Sequence, residues 1–311
     1  MKKKYLALLI LLLLVPFTKV NAEEINPIKE RLALYKKTAT ITQIPWFYFA
    51  AIDQYERQIR EDEPLISISF SGEEWYGISN LSEDSRLAAI GVHNGIGKDG
   101  NNDGLAEINN SEDILYTMAM YIMNFGVTDD AIRKALWAFY QKPLAVKTIV
   151  QNARIFALFK TNDLPERAFP LPQHFNYSYR STWGDARGYG GRRIHEGTDI
   201  FADYGTPVRA TTYATIEIKG WNRYGGWRIG MRDINNVYHY FAHLSGFEQG
   251  IEIGEIVKPG DVVGYVGSSG YGPPGTSGKF PPHLHYGMYK DNGKNEWAFD
   301  PYPSLRKWER Q

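Results

Sequence analysis

The stretch Arg193-Ile194-His195-Glu196-Gly197-Thr198-Asp199-Ile200 decides how the last third of this chain is read. His195 and Asp199 are four residues apart. On a helix they would share a face. Gly197 and Thr198 between them, with Gly188, Gly190 and Gly191 before them, point instead to a loop entering a strand, where the two side chains can still converge. Further along come His243 and the pair His283-Leu284-His285. Residues i and i+2 of a strand point to one face, with side-chain origins roughly 7 Å apart. Both His283 and His285 can therefore reach one centre, one as a ligand and one from beside it. Pro281 and Pro282 fix the entry to that strand. Two histidines and a carboxylate can hold a divalent metal and leave a fourth position open for water. Histidines left over can move protons. Each piece alone is weak: a lone His-x-x-x-Asp is mostly chance. His243, after Phe241-Ala242 in an apolar strand, would alone be read as a hydrogen-bonded core histidine. His239, four residues earlier, is expected on the same strand face as His243, in a structural or supporting role.

Around these residues the chain is written in short strands punctuated by glycine: Pro207–Thr211, Tyr213–Lys219, Trp227–Arg232, Val237–Leu244, Asp261–Val266 and His283–Tyr289. No helix-length segment separates them, so they predict an antiparallel sheet or sandwich. Upstream, Pro165, Pro170 and Pro172 mark residues 164–180 as a linker. Before that the pattern is helical. Pro45 opens a helix whose apolar residues Tyr48, Ala51, Ile52 and Tyr55 recur at helix spacing. Ile114 to Phe125 is a second helix, closed by Gly126. Thr128 caps a third, with Asp129 and Asp130 in its first turn. Pro143 opens a fourth. The expected fold class is α+β in two domains: a mainly helical one over 25–163 and an antiparallel β domain over 181–311.

Residues 1–22 read as an export signal: Lys2, Lys3 and Lys4, an apolar run from Tyr5 to Val15, and Ala22 at the cleavage position. The run is too short to span a bilayer, which takes about 20 residues, and no other segment is apolar enough, so no membrane span is expected after cleavage. The exported chain has no cysteine and folds without disulfides. Any metal site must use His, Asp and Glu. Removing Lys2, Lys3, Lys4 and Lys19 leaves 31 basic residues against 35 acidic, a net charge of −4, which argues against a nucleic-acid partner.

Five separated motifs, taken together, resemble one family. They are Arg193 to Ile200, Gly205-Thr206-Pro207-Val208, Ala242-His243-Leu244-Ser245, Val257 to Gly264, and His283-Leu284-His285. In this order they look like the lysostaphin-type (M23) zinc endopeptidases of bacterial cell walls, over roughly residues 183–305. The resemblance implies one Zn²⁺ per chain held by His195, Asp199 and His285, with His243 and His283 acting in catalysis. It implies hydrolysis of peptidoglycan stem peptides by a protein secreted to the cell wall or spore envelope. The chain departs from the family in its long stretch Gly270 to Pro282 and in Gly287, where the family often has Glu. Within the family, the long loop and the extra N-terminal domain look most like a sporulation-associated endopeptidase cutting the L-Ala–D-Glu bond. A non-catalytic peptidoglycan-binding protein on the same fold is the alternative, although all five positions are intact.

The helical half resembles a degenerate lysozyme-like transglycosylase domain. Glu56 stands at the end of a helix, where that family keeps its general acid. Arg57 replaces the expected small residue, and Phe139-Tyr140 replaces a Tyr-Asn pair. The resemblance implies a domain that grips glycan, or a bifunctional protein if Glu56 is active. Asp99, Asn101 and Asp103 fit the opening of a calcium loop, though position twelve is Asn110 and a satisfied turn rich in Asp and Asn is the competing reading.

Overall fold

The computed structural model describes residues 26–60, 64–188 and 192–311. The expected export signal lies outside the described residues. Helices come first: α1 Pro27–Thr42, α2 Trp46–Ile59, α3 Gly72–Tyr76, α4 Leu87–Val92, α5 Ser111–Met123, α6 Asp129–Tyr140 and α7 Pro143–Phe159. Local chemistry sets their starts. The Thr128 hydroxyl accepts from the Ala131 amide at 3.3 Å, and Asp129 and Asp130 face the positive end of α6. Proline opens α7, where no amide partner is needed. Helix α2 is buried nearly all round, by α7 on one side and α1 on another.

Asp53 and Glu56 are carried inward with α2. Asp53 accepts from the Tyr35 hydroxyl at 2.6 Å and pairs with Arg57 at 3.0 Å. Glu56 is only 6 % exposed, and its Oε1 accepts from the Tyr140 hydroxyl at 2.7 Å. Burial pushes its carboxyl up to about 7, against the opposing pull of that hydrogen bond. Between the ordinary value near 4.5 and 7, the folded chain binds a proton that the unfolded chain does not. Stability should therefore be full below the lower value and fall as pH rises through the window, by about 3 kcal/mol in all. Glu56→Gln should flatten that slope in urea titrations run from pH 4.5 to 8. An unchanged slope would show that Glu56 ionises as an exposed carboxylate does.

The strands follow: β1 Tyr177–Tyr179, β2 Ala186–Arg187, β3 Arg193–Ile194, β4 Thr198–Ala202, β5 Pro207–Arg209, β6 Ala214–Asn222, β7 Gly226–Asp233, β8 Val237–Phe247, β9 Ile256–Val257, β10 Val262–Val266, β11 His283–Asp291 and β12 Glu296–Phe299, with helix α8 Tyr302–Trp308 closing the chain. The main sheet runs β1-β4-β11-β8-β7-β6-β9, every pair antiparallel. Strand β10 pairs with β8 and β5, and β12 with β11. Strands β2 and β3 form a separate two-stranded ribbon. One face of the main sheet buries Ile200, Phe241, Leu284 and Tyr286 with Leu305 and Trp308 of α8. The opposite face at β4, β8 and β11 is the floor of a cleft.

Residues 164–180 are not a free spacer. Phe169 and Leu171 are buried in the β core, and Arg209 donates to both of their carbonyls at 2.9 and 2.8 Å. Strand β1 adds an edge to β4. The prolines here shape a fitted strap rather than a tether. The helical half also packs on the sheet. Phe159 meets Tyr213 edge-on at 4.8 Å, Lys147 pairs with Glu217 at 3.1 Å, and Arg154 donates to the Gly254 carbonyl at 3.0 Å. Ile234 is buried within the helical core. Among the described residues no helix is long and apolar enough to cross a membrane.

Candidate metal centre

The register of β4 against β11 sets Asp199 directly opposite His285, and Phe201 opposite His283. His195 arrives from the turn between β3 and β4. Its Nε2 lies 2.8 Å from His285 Nδ1 and 3.1 Å from Asp199 Oδ1, and His285 Nδ1 is 3.0 Å from the same oxygen. Among the described residues this is the one cluster of His, Asp or Glu able to hold a metal ion. Two imidazole nitrogens and a carboxylate oxygen converging on one point form the donor set of a three-ligand zinc site with a fourth position open.

The residues around it are arranged to aim it. Thr182 is the hub. Its carbonyl takes the Nδ1–H of His195 at 2.7 Å, which leaves the Nε2 lone pair turned to the centre. Its hydroxyl accepts from the Asp199 amide at 3.0 Å. Arg187 of β2 donates to the outer oxygen, Asp199 Oδ2, at 2.5 Å. Burial opposes ionisation of Asp199, but the hydrogen bonds and charges of His195 and His285 overcome it and hold the carboxyl well below its usual range. Burial lowers His285 in turn, partly offset by Asp199, so it favours the neutral ring that a ligand must present. Gly197 explains the middle of the His-Glu-Gly-Thr-Asp stretch. A Cβ there would lie 2.6 Å from His285 Cε1 and 2.7 Å from the Tyr286 carbonyl oxygen. Gly197→Ala should displace His285 and weaken metal binding by at least tenfold in a competition titration with a chelator. Unaltered affinity would show that the turn yields without cost.

His243 and His283 stand beside this centre, ring centroids 4.7 Å apart. His243 donates Nδ1–H to the Ser269 carbonyl at 2.8 Å, and His283 donates Nδ1–H to the Pro281 carbonyl at 2.7 Å. Each keeps an Nε2 lone pair. Burial, with His283 and His285 nearby, pushes His243 down to about 3, so its ring is neutral. Strand alternation does not put His243 here. Tyr240 and Ala242 line the cleft, while His239 and Phe241 face the core. His243 breaks the alternation with a left-handed backbone, φ 63°. The expectation that His239 shares its face is thus corrected. His239 sits on the far side, donating Nε2–H to Asp233 at 3.3 Å and accepting from the Tyr286 hydroxyl at 2.6 Å.

The cleft holds about 350 Å³ and is walled by Arg193, Tyr224, Tyr240 and Tyr271. The long stretch Gly270 to Pro282 lays Tyr271 flat on His243, 5.4 Å between centroids at 15°. Glu56 lies in the helical core, apart from this cleft. The calcium reading is not supported. Asp99 accepts from the Asn102 and Gly104 amides at 2.6 and 2.8 Å, and Asn101 and Asp103 bond within the same turn. These residues close a loop on themselves.

Residues 193–301 match peptidase family M23. The chain is 54 % identical to the L-Ala–D-Glu endopeptidase of Bacillus subtilis over 318 residues, 99 % of this chain and 98 % of that one. The chain belongs to peptidase family M23. Lysostaphin of Staphylococcus simulans is 35 % identical over 115 residues, 36 % of this chain and 22 % of that protein. The solved catalytic domain of lysostaphin from the same organism is matched with a TM-score of 0.34 at 29 % identity, covering 42 % of this chain and 92 % of that domain. This M23 chain is a peptidase, and three of its five family motifs, Arg193 to Ile200, Ala242 to Ser245 and His283 to His285, meet at the cleft described above. Thr182, Arg187 and Tyr271 were not found in the sequence. Only their place around the motif histidines marks them.

Proposed function

We propose that this protein is an exported, zinc-dependent endopeptidase that cuts the L-Ala–D-Glu bond of peptidoglycan stem peptides during sporulation. The observation that carries this reading is the convergence of His195, Asp199 and His285 beside two further histidines, in a chain alike over its whole length to an enzyme of that name. In this reading residues 1–22 are the export signal, 25–163 the helical domain, 164–180 the connecting strap and 181–311 the peptidase domain.

His195 Nε2, Asp199 Oδ1 and His285 Nδ1 would hold the zinc. When bound, zinc supplies Lewis acidity to the scissile carbonyl and lowers the pKa of its water from 15.7 toward ~7. The remaining chemistry belongs to the chain. Thr182 fixes the tautomer of His195, and Arg187 holds the outer oxygen of Asp199 so that the inner one stays aimed. His243 and His283 each start with a free Nε2 lone pair, because a backbone carbonyl holds Nδ1–H. One of them takes a proton from the attacking water at Nε2. The imidazolium so formed donates to the developing oxyanion and hands the proton to the leaving amine. Tyr271 covers His243 and keeps its ring from bulk water. The helical half is read as a degenerate lysozyme-like domain that grips glycan.

The test is digestion of purified stem-peptide fragments with the exported protein, the new termini being found by mass spectrometry. Cleavage that exposes a D-Glu amine supports the reading. A zinc-loaded protein inert on every fragment would favour a binding role.

A further inference from the structure

Ribbon β2–β3 places Arg187 directly opposite Arg193. Two like charges facing each other across a two-stranded ribbon are destabilising. Both side chains line the metal cleft. Arg187 is committed through one nitrogen to Asp199 Oδ2. Arg193 stands over the Tyr224 ring at 5.0 Å and hydrogen-bonds the Tyr271 hydroxyl, which feels the charge of both arginines. Among the described residues no carboxylate lies within ion-pair reach of Arg193. The other acid of the cleft, Glu196, is engaged by Tyr289. So two guanidinium groups are held side by side at the mouth of a peptidase cleft, at a cost, with one left without an anion.

A substrate supplies the anion. A glutamyl residue whose nitrogen is acylated by alanine always keeps one carboxyl outside the chain of peptide bonds. That group lies one residue from the scissile bond. We propose that Arg187 and Arg193 form a carboxylate clamp at the mouth of the cleft, and that the clamp selects an acidic residue on the amine side of the cleaved bond. The inference rests on the L-Ala–D-Glu reading and names the side chains that impose it. Arg193 makes the discriminating contact through its planar fork, and Tyr224 and Tyr271 hold that fork upright. Arg187 adds charge while it keeps Asp199 aimed.

Two N-acylated peptides test this, differing only in whether the free glutamyl group is a carboxylate or a carboxamide. The native protein should cut the carboxylate peptide with a kcat/KM at least tenfold higher. Arg193→Gln should lower that kcat/KM by roughly 10- to 100-fold, the loss of one charge-assisted contact, and lower the carboxamide value by less than threefold. Arg193→Lys should recover part of the preference, and zinc content should match the native protein in both variants. The melting temperature of Arg193→Gln should not fall, because a like-charge pair has been removed. A preference unchanged in Arg193→Gln, or a parallel loss on both peptides, overturns the clamp. If the native protein cuts both peptides equally, the clamp is wrong and the endopeptidase reading stands. If it cuts neither, the endopeptidase reading falls and the clamp with it.

Discussion

Asp199→Ala should leave the protein folded but without zinc, and with peptide cleavage down by at least a thousandfold. The mutation removes one of three donors and also strands the Arg187 guanidinium, which now pairs with Asp199 at 2.5 Å. With Asp199 gone, His195 and His285 offer two imidazole nitrogens, too few for a site that holds its metal through three protein ligands. Elemental analysis of the purified variant beside its peptidase activity checks this. Full zinc occupancy in Asp199→Ala would remove Asp199 from the ligand set.

His243→Ala should separate binding from turnover. His243 is not among the three converging donors, so the variant should carry the same zinc as the native protein. Its kcat should fall by about 10²- to 10⁴-fold, the usual cost of losing a positioned proton carrier. The change should leave the fold intact and relax the backbone, since an alanine at φ 63° gains nothing from the strain. That strain, of order 1–3 kcal/mol for a non-glycine residue in an unfavourable region, is tolerated because the Gly225 carbonyl accepts the His243 amide at 2.7 Å and Ser269 holds the ring. A His243→Ala protein that lost its zinc as well would place His243 in the ligand set.

What could be read from the sequence depended on what kind of group does the work. His195, Asp199, His243, His283 and His285 announce themselves as side chains in motifs, and six of the twelve strands of the β half stand out as short runs punctuated by glycine. Thr182 escapes because it acts partly through a carbonyl, which every residue possesses. The face of His243 escapes because neither Gly nor Asn marks its left-handed backbone. Helix α1 escapes for a different reason. Thr38, Thr40 and Thr42 dilute its apolar pattern, and only the structure shows each hydroxyl turned back onto the carbonyl four residues earlier, at 3.1, 2.9 and 2.8 Å. The packing of residues 164–180 is not legible either, because proline limits a backbone without saying whether anything packs against it.

The packing of α7 on β6 bears on how the molecule comes apart. Ile234 belongs to the helical core, Tyr213 and Ile256 pack against it, and the Glu217 side chain is nearly covered where Lys147 meets it. Pulling the halves apart would wet those apolar groups and take Lys147 from a shielded carboxylate, leaving it Arg232 alone. Neither half can melt without charging that cost to the other. A calorimeter should therefore record one endotherm, with van't Hoff and calorimetric enthalpies in agreement. A β half produced alone should come out less soluble and melt at a lower temperature than the same residues within the whole chain.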